Sequence, residues 1–155
     1  MYFLDFDRTL FDTDAFTQYL HNREGSELVE YDTLAFDEGE LSSFVYADVA
    51  EFLRYAGNEA TIITYGSEMF QRAKIKSALV GIPRLSVFYT GEVRKGEYLA
   101  PRLEFYGESV LVDDTILELE IAAERCPTLR LFRMDRSGAG SEERWEVITS
   151  LSELP

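Results

Sequence analysis

Cysteine is almost missing from this 155-residue chain, and with Cys126 as its single example no internal disulfide can form. A lone thiol beside Pro127 reads as a small buried residue and fits a reducing, cytoplasmic setting. Histidine is as scarce: His21 stands alone, and nothing near it in sequence makes a triad or a metal site. No apolar run approaches the ~20 residues that a membrane-spanning helix needs. No positively charged leader precedes the first strand-like segment, so secretion is not expected. There is no internal repeat and no disordered tail. The glycines of Arg136–Ser141 do not follow a strand, as a dinucleotide fingerprint would, and read as a flexible loop. Basic residues are outnumbered 15 to 29 by acidic ones, a formal charge of −14. Such a surface disfavours nucleic acid and anionic membranes as partners. It also repels a phosphorylated substrate at long range, so any anion site must be neutralised locally.

What is present is an ordinary globular composition, 46% apolar and 28% charged, at a length that suits one domain over residues 1–155. Five apolar runs read as strands: Tyr2–Phe6, Ala60–Thr64, Leu85–Tyr89, Val110–Val112 and Leu129–Phe132. Helical spacing lies between them. Phe44 to Tyr55 carries Val45, Val49, Phe52 and Leu53 on one face. Ser67 offers an N-cap for the next helix, closed by Gly81 and Pro83. Ile116 to Cys126 is a third, and the stripe Trp145, Ile148, Leu151 predicts a terminal helix. Lys74 and Lys76 fall within a helix and are expected on its exposed side. Strands alternating with helices imply an α/β fold: a Rossmann-like three-layer sandwich with a mainly parallel five-stranded sheet. The acidic stretch from about Asp12 to Ser43 is too long for a simple connection. It reads as a small helical cap insert at about 14–43, with helical pieces at Ala15–His21 and Glu27–Phe36. Its aromatics Phe11, Phe16, Tyr19, Tyr31 and Phe36 either form its own core or line a substrate entrance.

Reactive groups collect where three of these strands end. Asp5 and Asp7 lie at the end of the first, Thr64 closes the second, and Asp113 and Asp114 close the fourth. Ligands of open α/β sheets bind beyond the carboxyl ends of the strands. Carboxylates brought together there repel unless a cation or a shared proton intervenes, and a hard oxygen set suits Mg²⁺. A hydroxyl at Thr64, just before the Tyr65-Gly66-Ser67 turn and a helix N-terminus, can hold the oxygens of an anion. Lys95, in the run Gly91–Gly96, supplies a candidate fixed positive charge, with Arg94 as its neighbouring alternative. Arg8 either touches substrate or is an exposed loop residue. A calcium-binding loop is excluded, because the positions six and twelve residues into Asp5-x-Asp7-x-Thr9 are Leu10 and Phe16 rather than Gly and Glu.

The ordered set resembles the haloacid dehalogenase superfamily of phosphohydrolases, over Tyr2 to about Phe132. Asp5-Phe6-Asp7-Arg8-Thr9 matches its DxDxT motif, Ile62-Ile63-Thr64 its apolar strand ending in Thr or Ser, Lys95 its lysine, and Val110–Asp114 its final acidic motif. That resemblance implies a Mg²⁺-dependent phosphatase acting on a small phosphorylated molecule or a phosphoprotein. Asp5 would be the nucleophile forming an aspartyl-phosphate and Asp7 the general acid and base. Asp5, the Asp7 backbone carbonyl and Asp113 would hold the metal. Thr64, Lys95 and the Tyr65 amide would bind the phosphoryl oxygens. Thr9 would tie down the first loop, and Asp114 would orient Lys95 or a metal-bound water. Relatives that cleave carbon–halogen bonds lack an acid at the position of Asp7, so its presence favours phosphate esters. Tyr65 departs from the Asn common there. An insert this small seals the site poorly, which favours a substrate or a second subunit that covers it. A non-catalytic Mg²⁺- and phosphate-binding module, and a phosphotransferase using the same intermediate, are the alternatives.

Overall fold

A computed structural model describes residues 1–24, 30–82, 85–139 and 144–155. Six strands form one parallel sheet: β1 (Tyr2–Leu4), β2 (Ala60–Thr64), β3 (Ser86–Tyr89), β4 (Val110–Asp113), β5 (Arg130–Met134) and β6 (Glu146–Ile148). Their order across the sheet is β3-β2-β1-β4-β5-β6, with β1 aligned on both sides so that Leu4 stands level with Ile62 and Val112. The helices are α1 (Thr13–Glu24), α2 (Val49–Ala56), α3 (Glu68–Ala78), α4 (Lys95–Leu99) and α5 (Ile116–Arg125). None is long and apolar enough to cross a membrane.

The side-chain alternation of a strand splits the central ones between two cores. Leu4, Ile62 and Val112 bury on one face with Phe11 and Phe16 from the α1 region, Val49 and Leu53 of α2, and Ile75 of α3. Phe3, Ile63 and Leu111 bury on the other with Leu99 of α4 and Leu119 and Ala122 of α5. Central strands wetted on neither side need no polar face, and every residue of β2 is accordingly buried. Right-handed crossovers running outward in opposite directions from the middle of the sheet put α3 and α5 on opposite faces.

Three expectations are corrected. The sheet has six strands rather than five, and the C-terminal segment is a strand followed by a single 3-10 turn, Leu151–Glu153, rather than an α-helix. Trp145, Ile148 and Leu151 repeat at three only by coincidence: Trp145 packs into one core, Ile148 and Leu151 into the other. Two β-branched residues, Val147 and Ile148, extend along β5, and Arg130 pairs with Glu146 across the strands at 2.9 Å. The helix expected from Phe44 starts only at Val49, because Ser42–Phe44 is a single 3-10 turn and Val45 bridges Phe11. Ser67 caps α3 as expected, its hydroxyl accepting the Phe70 amide; Pro83 lies outside the described residues.

In the insert, α1 runs beyond Ala15–His21 at both ends, and His21 is exposed. Of the second piece, residues 27–29 lie outside the described residues, and the rest holds one 3-10 turn, Tyr31–Thr33. This segment is bound to α3 through Ser77, whose hydroxyl donates to the Asp37 carbonyl at 2.6 Å and accepts the Leu41 amide at 3.2 Å. Four of its aromatics join the sheet's core: Phe11 and Phe16 are buried, and Phe16 stacks with Tyr19 and meets Phe36 edge-on, whereas Tyr31 is exposed and rests on Phe70.

Candidate active site

The strand order reverses between β1 and β4, and a crevice opens at their carboxyl ends. Asp5 is the first residue beyond β1, and its amide donates to the Val112 carbonyl at 2.9 Å. Asp113 ends β4 with Asp114 directly after it, and Thr64 ends β2. A cleft of about 190 Å³ is lined by Asp5, Asp7, Thr64, Tyr65, Lys95 and Asp114 among others. The topology thus gathers residues 5, 64, 95 and 114, far apart in sequence, around one opening, with Asp113 buried behind them.

Lys95 is the first residue of α4 and is 3% exposed. Its ammonium donates to Asp5 Oδ1 at 2.5 Å and to Asp113 Oδ2 at 2.6 Å. Two contacts aim it there. The Glu118 carboxylate of α5 accepts the Lys95 amide at 2.9 Å, fixing the start of α4. Gly96 then lets α4 lie flat on α5, since a Cβ at that position would come within 2.7 Å of the Ala122 Cα and N. Burial alone would lower the Lys95 pKa, but the Asp5 and Asp113 carboxylates outweigh it and hold the ammonium above its ordinary value.

One ammonium does not neutralise the acids around it. Asp5, Asp113 and Asp114 each offer a carboxylate oxygen, all within 4.8 Å of one another. Burial, with repulsion from Asp113 and Asp7, pushes Asp5 up to about 7 against the pull of Lys95. Burial and the charge of Asp5 push Asp114 up to about 6, and burial also raises Asp113. Asp5 Oδ2 is buried without a hydrogen-bond partner among the described residues. An orphaned carboxylate oxygen beside two further carboxylates fits a hard divalent cation, whose oxygen ligands lie within a few ångströms of each other. Burial of these acids without one costs free energy.

No family model matches the sequence, and no curated protein is similar enough to match it. Solved structures do. A haloacid dehalogenase-like hydrolase from Burkholderia xenovorans LB400 superposes with a TM-score of 0.65 at 18% identity, over 94% of this chain and 92% of the other. A haloacid dehalogenase-like hydrolase from Bacteroides fragilis gives 0.61 at 14%, over 99% and 98%. A dehalogenase in an intermediate complex gives 0.62 at 16%, over 99% and 94%. The chain has the haloacid dehalogenase-like fold. At these identities the likeness establishes architecture, and the chemistry has to come from the side chains.

On this haloacid dehalogenase-like scaffold Asp7 stands apart from the acid cluster. Lys74 of α3 donates to both its oxygens, at 2.6 and 2.9 Å, Gln71 to Oδ2 at 2.9 Å, and the Thr13 hydroxyl to Oδ1 at 2.8 Å. Burial would raise the pKa of Asp7, but Lys74 and these hydrogen bonds win and hold it below the usual carboxylate range. Lys74 is therefore a correction: expected on the surface, it is 2% exposed, while Lys76 is exposed as expected. A signal existed. Gln71, Lys74, Ile75 and Ala78 share the buried face of α3, and a lysine on such a face calls for a buried acid.

The remaining residues divide. Tyr65 is half-exposed, with the Arg94 guanidinium 4.7 Å above its ring. Arg94 is bound to Glu118 at 2.9 Å, and it is Lys95 that reaches the acids. Asp114 makes no hydrogen bond to Lys95 among the described residues and instead accepts the Thr115 hydroxyl at 3.1 Å. The Thr9 hydroxyl is buried without a partner among the described residues. The first loop is instead held by the Thr9 carbonyl, which accepts Arg136 Nε at 2.9 Å and Nη2 at 2.7 Å. Arg136 also pairs with Asp48 at 2.8 Å, so the start of the expected flexible loop is an anchor; residues 140–141 lie outside the described residues. Arg8 pairs with Asp14 in the open and adopts φ +60, a left-handed conformation uncommon for a residue with a side chain.

Proposed function

We propose that this chain is a divalent-cation-dependent phosphohydrolase that cleaves a phosphate monoester through an aspartyl-phosphate on Asp5. The observation that carries the reading is Asp5 itself. One oxygen is bonded to Lys95, and the other is buried without a partner among the described residues, in a cleft that also holds Thr64. A carboxylate so held is oriented, desolvated and free on one side, as a nucleophile should be.

In this reading Asp5 Oδ2 forms a bond to phosphorus while the ester P–O bond breaks, and the leaving oxygen takes a proton from Asp7. Water then attacks the phosphorus of the acyl phosphate, gives its proton back to Asp7, and releases inorganic phosphate and free Asp5. Lys95 and the Thr64 hydroxyl bind the phosphoryl oxygens, with the Tyr65 amide beside them. Mg²⁺ held by Asp5, the Asp7 carbonyl and Asp113, with Asp114 near, would supply positive charge between nucleophile and dianion. Asp7 separates this reading from carbon–halogen cleavage, which needs no proton donor to its leaving group.

The substrate is a phosphorylated small molecule or phosphoprotein in the cytoplasm. A cavity of about 400 Å³ shares Arg8 and Asp114 with the cleft and offers room for the alcohol portion. Hydrolysis of an aryl phosphate with Mg²⁺ and with chelator, beside Asp5→Asn, tests the reading. Turnover that needs Mg²⁺ and vanishes in the variant is expected. Retained turnover in Asp5→Asn, or Mg²⁺-dependent binding of beryllofluoride without hydrolysis of any ester, would contradict it.

A further inference from the structure

A carboxylate has about four lone-pair positions, and those of Asp7 are all taken. Oδ1 accepts from Thr13 and Lys74, Oδ2 from Gln71 and Lys74. The donors are all side chains, and they come from two elements, α1 and α3. Lys74 is the strongest of them, being charged and engaged with both oxygens. Its own position is fixed from behind, with Nζ 4.9 Å from the ring centroid of Phe70 and 5.4, 5.6 and 5.8 Å from those of Phe6, Phe11 and Phe16. Asp7 still lines the cleft with Asp5, yet it has no acceptor position left for a substrate proton or a water.

We infer that Lys74 is the positioning residue for Asp7, and that the position it enforces is a latched one, which must open before Asp7 can exchange a proton with substrate. The inference rests on the phosphohydrolase reading. It also separates two demands on one side chain. The latch gives the carboxylate a counter-charge of its own beside the acids of the cleft, whereas proton transfer needs one of its oxygens free.

Esters with different leaving groups read the latch directly. Cleavage of 4-nitrophenyl phosphate expels a stable anion that needs no proton, while cleavage of ethyl phosphate requires one. Lys74→Met keeps length and an apolar stem among the four aromatic rings and removes the latch. The expected result is a kcat/KM ratio, ethyl over nitrophenyl, about tenfold higher than in the wild type, a fraction of the 10²–10⁴-fold that a positioned proton donor contributes in full. Adding Asp7→Asn to Lys74→Met should abolish that gain. Gln71→Leu, which removes one donor and leaves the ion pair intact, should raise the ratio by a smaller factor even if Lys74→Met does not fold.

A ratio that falls in Lys74→Met, or equal losses on both esters, would overturn the latch and leave the phosphohydrolase reading standing. No wild-type turnover of either ester would overturn the reading, and the inference with it.

Discussion

At the scale of single residues, the site is governed by an imbalance of charge. Lys95 is one cation among three carboxylates drawn out of water. Removing it leaves Asp5 and Asp113 buried without a counter-charge, a change that typically costs about 3–5 kcal/mol. Lys95→Met should therefore lose that order of stability in metal-free denaturant unfolding, recover part of it in Mg²⁺, and show no turnover. The same imbalance sets a pH dependence. Asp5 is raised to about 7 and Asp114 to about 6, so the folded state binds their protons more tightly than the unfolded chain does. Their contribution is fully present below the unfolded carboxyl range and is lost as pH rises through 6 to 7. In chelator, thermal stability should fall between pH 5 and pH 8. Mg²⁺, which needs the ionised carboxylates, should stabilise most at pH 8. A Mg²⁺ effect of equal size at both ends would contradict this assignment of the cation to these acids.

At the scale of elements, the site depends on how closely α4 approaches α5. Gly96→Ala brings a Cβ within 2.7 Å of Ala122 backbone atoms, which cannot swing aside. Overpacking of this kind costs about 1–3 kcal/mol, and the shift falls on the helix that begins with Lys95. Turnover should drop with stability and stay low at temperatures where the variant is still fully folded. Elements also show what a sequence can reveal. The strand-end positions of Asp5, Thr64 and Asp113 were legible because a short apolar run closed by a polar residue is a local pattern. Lys74 was not expected inside, because nothing local says where a long side chain points or that Asp7 waits across the fold. The edge strand β6 was hidden for another reason: three residues are too few to display an alternation of two. The 3-10 start at Ser42–Phe44 was equally masked, since Val45, Val49 and Phe52 carry helical spacing through a segment whose first half pairs with Phe11.

At the scale of the whole molecule, the strand order 3-2-1-4-5-6 makes the crevice. That order is a matter of long-range pairing and stands in no stretch of sequence. Five strands and their alternation with helices could be read; which strand lies beside which could not. The formal charge of −14 opposes an anionic substrate at long range, and a cation at the acid cluster, with Lys95, would offset it locally. Cation binding should consequently register in global stability. At a Mg²⁺ concentration near 100 times its dissociation constant, linkage gives about 2.7 kcal/mol. For a chain of this size that is about 2–4 °C in Tm per kcal/mol. Asp113→Asn should remove most of that shift; an undiminished shift would place the cation elsewhere. The central claim, that Asp5 carries the phosphoryl group, is tested most directly by quenching the protein during turnover of a phosphate ester. The quenched protein is then reduced with borohydride, and the peptide containing residue 5 is analysed by mass spectrometry. The account predicts that the Asp5 acyl phosphate is reduced to homoserine, and only when ester and Mg²⁺ are both present. An unmodified Asp5 at steady turnover, under conditions that trap a chemically prepared acyl phosphate, would contradict it.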